Sequence, residues 1–495
     1  MYFLEDMTLL LTVVVSCLIL LTSYKHFWRK GNLPPGPTPL PILGNYLQLR
    51  GGDMTKSLLK LSEKYGEVFT VYLGFRPVIV VTGYKSVKEV YVDRGDDFLA
   101  RGDVPSFDFH FKNYGIVFTS NMDRWRELRR FSLSTLRDFG LGKRSIEDRI
   151  HDEALCLVTE LKKTKESFVK SRQYISKAAC NVIFSIMFGH RHDYEDSELL
   201  DAISLMYTAS AIVSSEWGQL YEIFPWFMRF IPGAHQKTFI CMKKLLQFVE
   251  KRVQMNQKTL DENNPRDFVD AFLIKMEKEK NNPKSEFHLT NLVNSTLQIF
   301  FAGVDTISTT LTYSLLLLMK HPNVLAKVQK EIDKVIGRDR CPKIQDRNQM
   351  PFTEAVIHEI QRFIDLLPFG LPRKTTRDIT YRGYSIPKNT NVYPLLSSVL
   401  KDPACFPYPT EFNPKNFLDE NGKFKKNDAF MPLATGKRIC MGEGLVRMEL
   451  FVILVTILQS FNLRAPVALE DLVITPEISG LGNLPKLYKM AFIPR

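Results

Sequence analysis

The sequence predicts a mainly α-helical protein with small β-sheets, built as one large domain behind an N-terminal transmembrane helix. Three observations predict this class: an uncharged apolar stretch at the N-terminus, a long apolar segment near residue 300, and short alternating segments confined to a few regions. The chain has 495 residues, of which 45% are hydrophobic, so it can bury a large core.

The N-terminal stretch, residues 7–24, contains no charged side chain. Its eighteen residues are at the short end of what a helix needs to cross a bilayer. A cleaved signal peptide would carry positive charge before the apolar stretch, but here Glu5 and Asp6 precede it and basic residues follow it up to Lys30. We therefore predict a retained signal anchor over residues 1–30, with the remainder of the chain in the cytosol.

A proline-rich segment follows the anchor. Five prolines fall between Leu33 and Pro41, and prolines this dense favour a stiff, extended spacer. We predict a hinge over residues 31–45 and a catalytic domain over residues 46–495. The hinge would hold that domain at a fixed attitude to the membrane.

The domain shows a clear order of elements. Alternating apolar residues at 68–73 and 78–81 predict a hairpin. The apolar spacing is mainly helical from Trp125 to about Leu260, and residues 289–319 predict a long helix that is buried on most faces. Further helices are predicted over the ranges 324–336, 353–363 and 442–459.

Charge and cysteine usage narrow the classes of partner. The formal net charge is +12, which favours acidic partners such as an anionic membrane or an acidic protein. No zinc-finger spacing or compact basic motif indicates nucleic acid. The seven cysteines are dispersed without a CxxC pair, so the catalytic part is expected in a reducing compartment.

The segment from Phe430 to Gly444 carries the most specific signal. Cys440 stands just before a predicted helix, whose N-terminal dipole favours a thiolate. Gly436 and Gly442 allow backbone N–H groups to approach the sulfur, and Arg438 can pair with an acidic group on a flat cofactor. The alternative is an ordinary buried cysteine.

These residues resemble the cytochrome P-450 superfamily, in particular the microsomal drug- and lipid-oxidising enzymes of vertebrates. The resemblance runs from the anchor to the C-terminus. It implies one mostly α-helical domain that holds haem b between two helices, with Cys440 as the axial thiolate ligand of the iron. It also implies a location in the endoplasmic reticulum membrane.

The second motif that carries the resemblance is Ala302-Gly303-Val304-Asp305-Thr306 in the long central helix. In the family the matching small pair opens a groove where dioxygen binds, and the resemblance makes Asp305 and Thr306 a catalytic proton relay. Thr306 can bond back to the carbonyl of Ala302. The alternative is a helical threonine that bonds only its own backbone.

The third motif contains Glu359 and Arg362, which lie on one helical face. Such pairs are usually exposed and contribute little. The resemblance makes this one a buried structural pair that fixes the segment leading to Cys440.

Haem has two propionates, so the resemblance implies donors around its edge. It assigns this cofactor-binding role to Arg101, Trp125, Arg129, Arg373, Arg438 and Cys440. Each arginine considered singly is more typical of a surface position. Three residues depart from the family pattern: Leu433 replaces a phenylalanine, Ala434 a serine, and Asn416 an arginine or histidine that joins the Glu–Arg pair. Ligation should survive all three.

The resemblance also implies a substrate pocket above the haem, for which plain core packing is the alternative. The pocket residues are Phe107, Phe109, Phe111, Ile116, Phe118, Phe301, Ala302, Val304, Leu366, Leu367 and Leu481. The alternation at 107–118 taken locally predicts a strand. The apolar segment 224–232 is either a lid that enters the bilayer or a packed loop.

Electrons must come from another protein, since the chain has no Rossmann fingerprint. The resemblance implies an NADPH-dependent flavoprotein reductase, with cytochrome b5 as a further partner. Basic residues near the predicted proximal face suit an acidic reductase: Arg126, Arg130, Lys423, Lys425, Lys426 and Lys437.

The predicted function is a haem-thiolate monooxygenase that inserts one oxygen atom from O2 into a lipophilic small molecule. The substrate class stays open between xenobiotic, fatty acid and steroid. Two alternatives remain: a haem-thiolate isomerase that needs no electrons, and a non-catalytic haem sensor. Asp305 and Thr306 argue against the isomerase, which needs no proton relay to dioxygen.

Overall fold

A computed structural model describes residues 2–28, 32–50, 53–140 and 146–495, and most of them are helical. The helices in the described residues are α1 (Tyr2–Trp28), α2 (Tyr46–Leu49), α3 (Met54–Tyr65), α4 (Tyr84–Lys88), α5 (Pro105–Phe111), α6 (Met122–Gly140), α7 (Ile146–Lys162), α8 (Ser171–Phe188), α9 (Ser197–Ser214), α10 (Glu216–Ile223), α11 (Pro225–Met228), α12 (His235–Lys258), α13 (Phe268–Lys278), α14 (Leu289–Lys320), α15 (Pro322–Val335), α16 (Pro351–Ile364), α17 (Leu396–Leu400) and α18 (Glu443–Ser460). The mainly helical class is confirmed.

The strands in the described ranges are short and form four small sheets. They are β1 (Val68–Leu73), β2 (Arg76–Val81), β3 (Ala100–Arg101), β4 (Val169–Lys170), β5 (Arg373–Lys374), β6 (Ile379–Tyr381), β7 (Tyr384–Ile386), β8 (Asn391–Pro394), β9 (Phe461–Arg464), β10 (Pro476–Ser479), β11 (Asn483–Pro485) and β12 (Lys489–Pro494). The largest sheet has the order β1-β2-β8-β5-β3. Its β1–β2 hairpin confirms the predicted turn region, with Leu73 opposite Arg76.

The core is organised around α14, as the apolar run at 289–319 predicted. This helix contacts α8, α12, α16 and α18, and most of its side chains are buried. The ends of α14 are accessible, and so is its middle, where Ala302 is exposed and Phe301, Asp305 and Thr306 are partly exposed. The first turns of α18 are likewise partly exposed, while its second half is buried.

The N-terminal helix α1 carries an apolar stretch, Met7–Leu21, whose side chains are exposed. Among the described residues, α14 is the helix that is long and apolar enough to cross a membrane, but most of it is buried in the body, as in a core helix, whereas Met7–Leu21 is a shorter apolar helix. The predicted anchor therefore coincides with an exposed apolar helix. Residues 29–31, at the predicted boundary between anchor and hinge, lie outside the described residues.

The proline-rich segment lies against the β1 strand rather than standing apart from the body. The backbone N–H of Thr70 donates to the carbonyl of Pro35 at 2.9 Å, and its hydroxyl donates to the carbonyl of Pro34 at 2.8 Å. A side chain at Gly36 would collide with the Thr70 carbonyl oxygen, 1.9 Å from the position of a Cβ. The segment thus fixes where the chain leaves the body.

The alternating phenylalanines near residue 107 locally predict a strand, and this prediction is wrong. Residues 105–111 form α5, because Pro105 presets the first helical φ angle and the Asp108 side chain accepts a bond from the Val104 N–H at 2.8 Å. Left-handed residues Lys112 and Asn113 then end the helix.

Candidate active site

Cys440 lies between a short 3₁₀ turn, Gly436–Arg438, and the start of α18. Its backbone N–H donates to the Leu433 carbonyl at 3.0 Å. Burial raises the pKa of the Cys440 thiol, while the backbone N–H of Gly442 and the charge of Arg129 act in the opposite direction. The protein therefore offers only partial stabilisation of a thiolate, which a metal ion bound to the sulfur would complete.

The two loop glycines have different roles. The Gly442 N–H interacts with the sulfur, as predicted. Gly436 adopts a φ of +73°, and a Cβ there would lie 2.0 Å from the carbonyl oxygen of Tyr91. Glycine is therefore required at this position by close packing against the short π-helix Glu89–Asp93. The need for glycine at position 436 therefore comes from its contact with Tyr91 and not from an approach of its N–H to the sulfur.

Four arginines and one tryptophan from separate segments meet beside the cysteine loop. Arg438 lies over the Trp125 ring, with its guanidinium carbon 4.3 Å from the ring centroid, and Arg129 lies 5.8 Å from the same ring. Arg129 also donates to the Ile439 carbonyl at 2.8 Å, which ties α6 to the residue before Cys440. Arg101 and Arg373 are paired across strands β3 and β5.

The arginine cluster carries positive charge without a carboxylate partner in the described part of the chain. Burial and the neighbouring arginines lower the pKa of Arg438 to about 7 and that of Arg101 to about 9. Arg438 Nη1 and Arg373 Nε are buried without a hydrogen-bond acceptor. Buried donors that lack partners are costly, so the cluster is built for an anionic ligand.

Thr306, the alcohol of the predicted relay, lies with Ala302 on the accessible face of α14. The Thr306 hydroxyl donates to the Ala302 carbonyl at 2.7 Å, which confirms the predicted back-bond. Val304 is buried, 2% exposed, on another side of the helix. A Cβ at Gly303 would lie 2.6 Å from Ile183 Cδ1. Gly303 therefore lets α8 approach α14 closely.

The predicted structural pair is completely buried. Both carboxylate oxygens of Glu359 accept bonds of 2.7 Å from Arg362, and both side chains have 0% exposure. Asn416 Nδ2 donates to the two oxygens of Glu359 at 3.1 and 3.2 Å. The asparagine therefore joins the pair by an amide where the family pattern has a cation.

The remaining departures from the family pattern lie in the cysteine loop itself. Leu433 is partly exposed and supplies the carbonyl that accepts the Cys440 N–H. Ala434 adopts a left-handed φ of 59°. The loop keeps its hydrogen bond to the cysteine with both residues in place.

Comparison with known proteins decides the family. The family model described as Cytochrome P-450 matches residues 34–492. Cytochrome P-450 2A10 of Oryctolagus cuniculus is 51% identical over 490 residues, which cover 98% of this chain and 99% of the relative. This chain belongs to the cytochrome P-450 family. Cytochrome P-450 2A5 of Mus musculus (51% identical over 481 residues, 97% of each chain) and cytochrome P-450 2A13 of Homo sapiens (49% over 490 residues, 98% and 99%) are further relatives.

Membership in the family establishes a haem-dependent monooxygenase, an oxidoreductase with thiolate ligation of the iron. The residues present fit that group. The unpartnered donors of Arg438 and Arg373 suit propionate oxygens. Among the described residues no group of three or more metal-ligating side chains includes Cys440, which suits an iron whose other ligands come from a macrocycle.

Four aromatic residues of the predicted pocket form one cluster in this cytochrome P-450. Phe107 stacks on Phe118 at a centroid distance of 4.7 Å and meets Phe301 edge-on at 5.8 Å. Phe111 stacks on Phe118 at 5.2 Å. Because Phe301 belongs to the partly exposed face of α14, the cluster joins α5 to that face. Ile116, 4% exposed, belongs to the same core.

Phe109 does not belong to this cluster. It is 53% exposed, and its ring contacts Phe239 of α12 at 5.0 Å. In a helix, residues two apart point to nearly opposite sides. Phe109 is therefore directed away from the side of α5 that carries Phe107 and Phe111.

Two loops bring the last pocket residues together. The Asn483 N–H of β11 donates to the Leu366 carbonyl at 2.9 Å, and Leu367 Cδ2 is 3.7 Å from the position of a Cβ on Gly482. Leu481 precedes β11 and lines a small cavity. The three leucines thus lie in two segments that contact each other.

The cavity that Leu481 lines also contains two carboxylates that the sequence did not indicate. Its other walls include Val104, Phe369 and Tyr393. Glu222 accepts a bond from the Ser106 N–H at 3.0 Å, and burial raises its pKa to about 7.

The second carboxylate, Asp103, pairs with Lys374 at 2.5 Å. These acids come from α10 and from the segment before α5. The spacing along the chain could not reveal that they face one cavity.

Proposed function

We propose that Cys440 is the axial ligand of haem b and that the protein inserts one oxygen atom into a lipophilic small molecule, either a xenobiotic, a fatty acid or a steroid. The observation that carries this assignment is the arginine cluster beside Cys440, in which Arg101, Arg373 and Arg438 are buried and which has no carboxylate partner among the described residues. Haem, when bound, supplies the redox chemistry that activates dioxygen.

Arg101, Trp125, Arg129, Arg373 and Arg438 are the residues that would hold the propionate edge. Arg438 and Arg373 each have a buried donor available, and Arg129 connects the cluster to the cysteine loop. A propionate near Arg438 keeps the guanidinium protonated, because an adjacent anion favours the charged form. Cofactor binding and ordering of the cysteine loop are therefore coupled.

The catalytic roles belong to Asp305 and Thr306. Thr306 Oγ1 lies on the accessible face of α14, where a hydroxyl can accept a proton on its oxygen while it donates its own. Asp305 is the acid that returns a proton to the Thr306 hydroxyl after the hydroxyl has donated its own. The buried carboxyl of Asp305 has a raised pKa, because burial outweighs its ion pair and hydrogen bonds. A raised pKa suits a proton donor at neutral pH.

The substrate pocket is formed by aromatic and aliphatic side chains that suit a lipophilic ligand. The rings of Phe107, Phe111, Phe118 and Phe301 supply rigid walls, and Ala302 leaves space on α14. Val304, Leu366, Leu367 and Leu481 complete the proposed pocket, together with Ile116. Apolar pockets with few polar groups bind by burial of apolar surface.

The proposed electron donors are an NADPH-dependent flavoprotein reductase and cytochrome b5. Six basic residues on the predicted docking face are exposed: Arg126, Arg130, Lys423, Lys425, Lys426 and Lys437. Arg126 and Lys437 pair with the exposed Asp123 and Asp96, whereas the other four form no salt bridge within the described part of the chain and present their charge toward an acidic partner. Such a surface accelerates association at low ionic strength.

The proposed membrane arrangement has a signal anchor (residues 1–30), a hinge (31–45) and a catalytic domain (46–495) on the cytosolic side of the endoplasmic reticulum. The α11 segment supports a second contact with the bilayer. Trp226, Phe227 and Phe230 are 52%, 51% and 76% exposed, and Phe75 lies 6.3 Å from Trp226. Exposed aromatic residues of this kind favour the membrane interface.

Reconstitution of the full chain with the reductase and lipid vesicles tests the proposed function. NADPH oxidation is measured against product formation for a panel of steroids, fatty acids and drug-like amines, and ¹⁸O₂ identifies the source of the inserted oxygen. The proposal expects one ¹⁸O atom per product and dependence on the reductase. Rearranged products that form from peroxides without NADPH would favour the isomerase. A protein that contains haem but neither oxidises NADPH nor forms any product would favour a sensor.

A further inference from the structure

Arg172, near the start of α8, connects three helices. Its Nη2 lies 3.0 Å from Asp305 Oδ1, and its Nη1 donates to Thr309 Oγ1 at 3.0 Å. The guanidinium carbon also lies 4.5 Å from the centroid of the Tyr207 ring on α9. The Arg172 and Asp305 side chains are only 10% and 15% exposed. The arginine is thus fixed by partners on α14 and α9.

Asp305 and Thr306, the acid and the alcohol of the proposed relay, lie on different faces of α14. A helix turns by about 100° per residue, so positions four apart lie nearly above one another. Thr306 bonds back to Ala302 on the accessible face. Asp305 and Thr309, in contrast, are joined by Arg172 on the face toward α8. Two residues that are adjacent in sequence therefore have different surroundings.

Few charged groups act on the Asp305 carboxylate. Among the described residues, Arg172 is the charged group that acts on this carboxylate, and Ser210 of α9 is a further hydrogen-bond partner. Tyr207 of α9 and Tyr313 of α14 are the other titratable groups near Arg172. Burial raises the pKa of Asp305, and Arg172 opposes this shift.

We propose that Arg172 is a positioning residue for the relay: it holds the Asp305 carboxylate on the α8–α9 side of α14, so that Asp305 reaches the accessible face only when this ion pair opens. The inference rests on the proposed roles of Asp305 and Thr306. Because Ser210 and Tyr207 both belong to α9, a movement of α9 changes the surroundings of the pair. Proton delivery is therefore linked to the position of α9.

The first test compares Arg172→Gln, Arg172→Lys, Asp305→Asn and the Arg172→Gln/Asp305→Asn double variant in the full chain with reductase. The ratio of product formed to NADPH consumed is measured across pH. In Arg172→Gln we expect the midpoint of this profile to move upward by about one pH unit, because an opposite charge is removed from the acid. Arg172→Lys should lie in between. The double variant should show no shift beyond that of Asp305→Asn.

The second test reads the carboxyl group without turnover. Infrared titration of the holoenzyme, with Asp305→Asn subtracted, isolates the Asp305 band, which should titrate at higher pH in Arg172→Gln. Lys177→Gln is the control, because Lys177 also lies on α8 and pairs at 3.1 Å with an exposed acid, Glu195. It should leave both readouts unchanged.

The outcomes separate the two proposals. If Asp305→Asn has the coupling ratio and pH profile of the wild type, the proposed relay is wrong. If the Asp305 band titrates identically in the wild type and in Arg172→Gln, or if Arg172→Gln loses coupling without a shift of the midpoint, the positioning role of Arg172 is overturned.

Discussion

Arg362 and Glu359 form an ion pair with two hydrogen bonds of 2.7 Å, and neither side chain is exposed to solvent. Arg362 also donates to the carbonyls of Leu400 and Pro409 at 2.8 and 2.7 Å. These carbonyls belong to the segment that precedes the cysteine loop. The pair therefore fixes this segment against α16 from inside the protein.

We predict that Arg362→Ala is expressed without stably bound haem. The substitution leaves the Glu359 carboxylate buried without its cation, which costs about 3–5 kcal/mol. The molar ratio of haem to purified protein measures the effect. Lys163→Ala removes an exposed pair with the same sequence spacing, Lys163 with Glu160, and should keep the wild-type haem ratio. A normal haem ratio in Arg362→Ala would refute the prediction.

Arg438→Met should accelerate haem loss by about tenfold or more. A hydrogen bond from a charged donor contributes about 1.5–3 kcal/mol, and tenfold corresponds to about 1.4 kcal/mol. Transfer of haem to a scavenger protein measures the rate. Arg438→Lys keeps the charge without the planar donors and should be intermediate. The neighbouring Lys437 is exposed, so Lys437→Met serves as the control, and equal rates in all variants would contradict the role of Arg438.

Gly303→Ala should lower the free energy of unfolding by about 1 kcal/mol. Overpacking against Ile183 costs about 1–3 kcal/mol, and the gain in helix propensity of about 1 kcal/mol offsets part of this. Adding Ile183→Val removes the closest contact and should restore part of the loss. A Cβ at Gly444, in the first turn of α18, meets no atom within 4 Å, so Gly444→Ala should not be destabilising.

Glu222 predicts a pH dependence of stability. Its folded pKa is raised from 4.5 to about 7 by burial. The folded state therefore binds this proton more tightly, and the contribution is complete below about pH 4.5 and is lost as the pH rises through about 7. Denaturant unfolding should show a steeper loss of stability over this window in the wild type than in Glu222→Gln. Glu216→Gln, exposed on the same helix, should behave as the wild type.

The sequence predicted the features that short segments define. The apolar run at 289–319 gave α14, the loop before α18 located Cys440, and helical spacing placed the Thr306 hydroxyl on the Ala302 carbonyl. Each follows from local periodicity or from a motif of a few residues. The family resemblance added the buried state of Glu359 and Arg362, which charge spacing alone would have placed on the surface.

Contacts between distant segments could not be predicted in the same way. Arg172 and Asp305 are separated by 133 residues, and Ser106 and Glu222 by 116. No periodicity connects such positions. The roles of Gly303 and Gly436 were missed for the same reason, because Ile183 and Tyr91 approach them from other elements. The family resemblance grouped Phe109 with Phe107 and Phe111, whereas the short helix begun by Pro105 directs Phe109 to another side.

The carbon monoxide difference spectrum of the reduced full-length protein tests the central assignment most directly. With Cys440 as a thiolate on the iron, we expect the strongly red-shifted band typical of thiolate ligation, and its complete loss in Cys440→Ser. A band typical of imidazole ligation in the wild type, or a red-shifted band that persists in Cys440→Ser, would contradict the assignment of Cys440.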